Sequence, residues 1–170
     1  MTLRRLLLLL LLSGIAPAAA AQQTPAQVPV ASTATAPAAT LDAETKCLAL
    51  SVYWEGKTET HEGQLAVAHT VLNRTRHLDF PNTICGVVAQ KSGGRKSVCQ
   101  FSWWCDGKRD EPQDDENWQD AVDVARATMQ AEAADPTGGA LYFHSSRIKP
   151  PAWAVKRKRL ARIGDHIFYR

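Results

Sequence analysis

All four cysteines, Cys47, Cys85, Cys99 and Cys105, follow an N-terminal stretch with the pattern of an export leader, and that combination constrains the fold more than any other feature. Arg4-Arg5, the run from Leu6 to Leu12 and Ala19-Ala20-Ala21 give the charged, apolar and small-residue order of a secretory signal, which predicts cleavage before Gln22 and export to the periplasm or beyond. The leucine run is short of the roughly 20 apolar residues that a bilayer core requires, so no stable membrane insertion is expected. An even cysteine count in an oxidising compartment favours two disulfides over free thiols. Three pairings are possible. Cys99 and Cys105 bracket a short loop whose closure is local, which leaves Cys47 to staple the first helix to Cys85, behind the second. No Cys-x2-Cys knuckle occurs, so no metal site is expected.

Residues 22–41 read as a flexible linker: up to Thr40 they are Ala, Thr, Pro, Ser, Gln and Val with no charge, a composition that buries too little apolar surface to order itself. Residues 42–170 are then one domain with one core. The chain has 20 Lys and Arg against 17 Asp and Glu, and two of the basic residues, Arg4 and Arg5, lie in the leader. The mature product is nearly neutral. Its basic run, Lys156-Arg-Lys-Arg159, reads as a solvated face, and export makes nucleic acid an improbable partner.

The apolar pattern predicts a mainly α fold of the α+β class with small β-hairpins. Asp42 caps a helix from Ala43 to about Trp54, which places Leu48, Val52 and Glu55 close to one face. A second helix from about His61 to Arg76 buries Leu65, Ala68, Val71 and Leu72, and Pro81 opens a short third through Ile84, Val87 and Val88. Lys91-Ser-Gly-Gly-Arg-Lys reads as a loop, and Gln100-Phe-Ser-Trp-Trp as a hairpin or bent strand. Asp114 or Asp115 starts a long helix with Trp118, Val122, Ala125 and Met129 inward, ending near Asp135-Pro136. Gly164-Asp165 is a two-residue turn signal between short strands.

One carboxyl stands out chemically: Glu55 closes the apolar run Cys47-Leu-Ala-Leu-Ser-Val-Tyr-Trp-Glu55, and burial of such an acid raises its pKa as a glycosidic proton donor requires. It is followed by Glu62-Gly-Gln-Leu-Ala-Val-Ala-His-Thr-Val-Leu-Asn-Arg74, Phe80-Pro-Asn-Thr-Ile-Cys-Gly-Val-Val-Ala-Gln90, Cys99-Gln-Phe-Ser-Trp-Trp-Cys105-Asp-Gly107, Asp135-Pro-Thr-Gly-Gly-Ala-Leu-Tyr-Phe-His144 and Ile163-Gly-Asp-His-Ile-Phe-Tyr169. In this order the segments resemble the SleB-type cell wall hydrolases, over about residues 46–170. The resemblance implies a lysozyme-like helical domain that cuts peptidoglycan glycan strands between N-acetylmuramic acid and N-acetylglucosamine, as a lytic transglycosylase. It places the catalytic glutamate on Glu55, the Gln-Phe-Ser segment on Gln100, Phe101 and Ser102, and the Gly-Gly-Ala-Leu-Tyr segment on Gly138 to Tyr142. The chain departs from many relatives at Trp54 and from some at His144.

Sugar recognition calls for flat apolar faces and for amides or hydroxyls, which Gln100, Ser102, Trp103, Trp104, Tyr142 and His144 supply. Adjacent side chains of an extended segment face opposite ways, so at least one of Trp103 and Trp104 is expected in the core. Tyr142 is expected to orient its hydroxyl to Glu55 or to a substrate amide. A two-carboxylate hydrolase needs a second acid, for which Glu59, Glu62, Asp106 and Asp110 are the candidates, although Glu59 and Glu62 read better as capping or solvated. Two rival readings stand beside this one. A zinc amidase or peptidase is disfavoured because His61-Glu62 is followed by His69, eight residues after the first histidine where the helical motif needs four. A non-catalytic glycan-binding module is the other. No cofactor is expected, and the partner is the glycan strand, met by a monomer.

Overall fold

The structure, a computed structural model, describes residues 40–92 and 98–170. The expected leader, almost all of the expected linker and residues 93–96 of the expected Lys91–Lys96 loop lie outside the described residues. The elements in chain order are α1 (Ala43–Gly56), α2 (His61–Thr75), α3 (Ile84–Val88), β1 (Lys91–Ser92), β2 (Val98–Cys99), a 3-10 turn (Ser102–Cys105), α4 (Asp115–Met129), β3 (Tyr142–Ser145), α5 (Ala152–Val155), β4 (Arg159–Ile163) and β5 (His166–Tyr169). This is the mainly helical α+β fold that the pattern predicts. Among the described residues no helix is long and apolar enough to cross a membrane.

Four helices start where a short polar side chain can take an orphan backbone N–H, among them α3, where Thr83 accepts from Gly86 N at 3.1 Å. Asp42 accepts from Thr45 N at 2.9 Å, Thr60 from Gly63 N at 3.3 Å, and Asp114 from Asn117 N at 3.1 Å; each such cap is worth about 1 kcal/mol. Helix α1 is the centre of the core, buried on nearly every side by α2, α3 and α4, so Leu48, Ala49 and Val52 are fully enclosed. A helix apolar all round needs such surroundings. Cys47 is bonded to Cys85, which ties α1 to α3, and Cys99 to Cys105.

Strands β3, β5 and β4 form an antiparallel sheet in that order, with His144 opposite Ile167 and Ile163 opposite His166. Gly164, at φ 54, makes the turn between β4 and β5. Its α-carbon faces the Glu59 carboxylate so closely that a β-carbon there would overlap Glu59 Oε2.

Three expectations are corrected. The Ser102–Cys105 segment is a 3-10 turn and not a bent strand, because the Cys99–Cys105 bond closes the chain on itself over six residues. Helix α4 stops at Met129 because Ala131 takes a left-handed φ of 57, and Met129 is 39% exposed. Asp135 then builds the following loop, accepting from Thr137 N at 2.7 Å, Gly139 N at 2.9 Å and Asn73 Nδ2 at 2.9 Å. Finally, Lys91 and Ser92 are not loop but pair with Cys99 and Val98 as a short ladder.

Candidate active site

Glu55 occupies the last turn of α1, where the helix leaves the core and meets the edge of the β3–β5–β4 sheet. Its carboxyl lines a cavity of about 240 Å³ together with Arg74, Gln100, Ser102, His144 and His166. Helix α2 contributes Arg74, the turn after β2 contributes Gln100 and Ser102, and the sheet contributes the two histidines. Burial pushes the Glu55 pKa up; the Trp103 indole and the Arg74 guanidinium oppose that rise without cancelling it.

The raised pKa has a consequence for stability. A carboxyl whose folded-state pKa lies above its unfolded value adds no penalty while protonated, and destabilises the fold as pH rises through the folded pKa. Glu55→Gln is therefore expected to melt at a higher temperature than the parent at about pH 8, with the advantage fading below about pH 4, where both chains are neutral at this position. Thermal melts of the two proteins across that range check it. An advantage independent of pH would assign the effect to packing.

The predicted site residues separate into those that reach the cavity and those that do not. Gln100 and Ser102 line it. His144 lines it too, but both ring nitrogens are engaged, Nδ1 with the Ser145 carbonyl at 2.9 Å and Nε2 with the Tyr169 hydroxyl at 3.0 Å. It serves the sheet. Trp103, expected on the sugar, is only 7% exposed and lies stacked with Trp54 at 6.4 Å between centroids, beneath Glu55 and outside the cavity lining. Its neighbour Trp104 lies on another face, in a pocket with Leu50 and Asp110. No hydrogen bond joins Tyr142 to Glu55 among the described residues. Tyr142 lines a second cavity of about 530 Å³ with Phe80, Gln90, Gln100, Trp153 and Arg157, and Arg74 and Gln100 are shared by both cavities.

The candidate second carboxylates all point elsewhere. Glu62 is exposed, Asp106 accepts from Lys108 N at 2.8 Å, and Asp110 belongs to the Trp104 pocket. Glu59 is neither solvated nor a helix cap: its side chain is 5% exposed, and it accepts from Asp165 N at 3.1 Å. His166 Nδ1 lies 3.3 Å from Glu59 Oε1, a close contact without the alignment of a hydrogen bond. Burial holds the His166 pKa down in spite of Glu59 and Asp165 beside it.

Arg74, Arg157 and the Glu59–His166 contact were not legible as site features. Arg74 carried one signal, a cation amid the apolar stripe of α2, at a position where burial demands a partner. The other two depend on contacts across about 15 to 106 residues of chain.

A mainly helical domain with one acid at the head of a cleft between helix and sheet defines the class. The model of the Cell Wall Hydrolase family matches residues 58–169, so the chain belongs to that family. That match begins three residues after Glu55. The chain is 33% identical over 123 residues to the spore cortex-lytic enzyme of Oceanobacillus iheyensis, covering 71% of this chain and 39% of that protein. It is 31% identical over 125 residues to the spore cortex-lytic enzyme of Bacillus subtilis, covering 72% and 36% respectively. It thus spans about two-fifths of these relatives' length. The catalytic domain of Bacillus cereus SleB superposes with a TM-score of 0.57 at 30% identity, covering 75% of this chain and 89% of that one. The catalytic domain of the germination-specific lytic transglycosylase SleB from Bacillus anthracis gives 0.59 at 29% identity, covering 79% and 100%.

Proposed function

We propose that this chain cleaves peptidoglycan glycan strands between N-acetylmuramic acid and N-acetylglucosamine as a lytic transglycosylase, with Glu55 as acid and then base. The observation that carries this reading is the solitary carboxyl: Glu55 is the one Asp or Glu lining its cavity. Residues 1–39 and 93–97, outside the description, contain neither Asp nor Glu. A hydrolase of the two-carboxylate kind needs a second acid about 5–9.5 Å away across the sugar. With one acid, the balance closes differently. Protonated Glu55 gives its proton to the glycosidic oxygen as the C1–O bond breaks; the resulting carboxylate takes the proton of the muramoyl C6 hydroxyl as O6 bonds to C1. The product is a 1,6-anhydro sugar and no water is consumed.

The similarity to a germination-specific lytic transglycosylase supports glycan cleavage, and burial raises the Glu55 pKa, the direction that a proton donor needs. A zinc amidase needs three converging donors, and among the described residues no group of three His, Cys, Asp or Glu side chains is placed to hold a metal ion. Two disulfides in one small domain support the exported, periplasmic location. The test is digestion of purified peptidoglycan followed by mass analysis of the fragments. Anhydromuramoyl ends are expected; reducing ends at muramic acid would replace the transglycosylase with a hydrolase, and cleaved stem amides with intact strands would replace both.

A further inference from the structure

Arg74 is 1% exposed, yet among the described residues no carboxylate lies within ion-pair distance of it. Its Nε donates to the Leu141 carbonyl at 2.7 Å, while Nη1 is buried with no acceptor. The guanidinium lies over Phe80 at 5.2 Å, Phe101 at 5.6 Å and Tyr142 at 5.9 Å. Burial lowers its pKa only to about 10, so it stays a cation at neutral pH. A buried cationic donor without an acceptor is costly and calls for an explanation.

A second guanidinium meets the same ring. Arg157 lies 3.8 Å above Tyr142 and 5.7 Å from Trp153, and its Nη1 donates to the Trp153 carbonyl at 3.4 Å. It too has no carboxylate partner among the described residues. Both arginines line the 530 Å³ cavity, which adjoins the Glu55 cavity through Arg74 and Gln100. Asp79 stands at the wall as well, but its side chain is 73% exposed and lies 3.7 Å from His77 Nδ1. The interior of the cavity is cationic and aromatic.

The geometry points to an anion subsite: Arg74 and Arg157, both packed at the Tyr142 ring, receive a carboxylate carried by the sugar whose bond Glu55 cleaves. Forked guanidinium donors suit a carboxylate, and aromatic walls exclude water from the pair. This inference rests on the glycan-cleavage reading above. On muramic acid the carboxylate has two sources, the lactyl group itself when the stem peptide is absent, or acidic residues of the stem when it is present.

The test uses soluble glycan oligomers and the mature Glu55→Gln protein, so that binding is read by tryptophan fluorescence without turnover. Two oligomer series are compared, one bearing stems and one stripped of them to expose the lactyl carboxylate, each also with its carboxyls capped as methylamides. The charged form of one series is expected to bind about tenfold or more tightly than its capped form, as hydrogen bonds to a charged group are worth. Whichever series shows the ratio names the source. Adding Arg157→Met, which keeps the apolar stem but removes the fork, is expected to bring the ratio close to one, and Arg157→Lys to restore part of it. Equal binding of charged and capped oligomers in both series, or a ratio untouched by Arg157→Met, would overturn the subsite. A preserved ratio with no glycan cleavage by the parent chain would instead sink the reaction and leave the subsite standing.

Discussion

Glu55→Gln is expected to lower glycan cleavage by about 10²–10⁴-fold with the fold intact, the usual worth of a positioned general acid. The amide matches the carboxyl in shape, so the packing against Trp103, Trp54 and the end of α1 is kept, but it has no proton of suitable acidity for the leaving oxygen. The same substitution removes the penalty that burial imposes on the charged side chain. Activity and stability should therefore move in opposite directions at about pH 8, a separation that a merely misfolded variant cannot produce. Anhydromuropeptide release by folded mutant protein is the measurement. Release within about threefold of the parent would remove Glu55 from the acid role, given the loss expected.

Removing the Cys47–Cys85 bond is expected to cost more stability than removing Cys99–Cys105. The first spans 38 residues and the second six. Restriction of the unfolded chain is worth about 4 kcal/mol for the longer loop and about 2 kcal/mol for the shorter in the chain-entropy account. Urea unfolding of Cys47→Ala/Cys85→Ala and Cys99→Ala/Cys105→Ala double variants gives both numbers directly. The reverse order would mean that the short loop, which shapes the turn under Glu55, carries native contacts that outweigh its entropy.

Local chemistry explains which parts of this arrangement a reader of the sequence can reach. Asp42 and Thr60 precede apolar periodic runs, and their caps are made within three residues, so α1 and the start of α2 follow from spacing alone. The turn at Gly164 follows from glycine between two β-rich runs. Glu55 emerges as the acid because it follows the apolar run Cys47-Leu-Ala-Leu-Ser-Val-Tyr-Trp near the end of α1. The misread parts depend on distant partners. Glu59 looks solvated because its neighbours are polar, but its acceptor role is supplied by Asp165, 106 residues on. Trp103 looks exposed until the Cys99–Cys105 bond folds its segment back under Glu55. The end of α4 is out of reach of the sequence because nothing in Gln130-Ala131-Glu132 announces a left-handed alanine.

The disulfide at one end of α1 and the Glu59 contacts just beyond its other end put the acid-bearing helix under two unrelated controls. Thiol reagents act near Cys47, two turns from the acid, whereas the contact that holds the β4–β5 turn is made by Glu59, four residues past it. Reduction should loosen the helix at its root while Glu55 remains aimed, so the enzyme would keep its rate per folded molecule as its melting temperature falls.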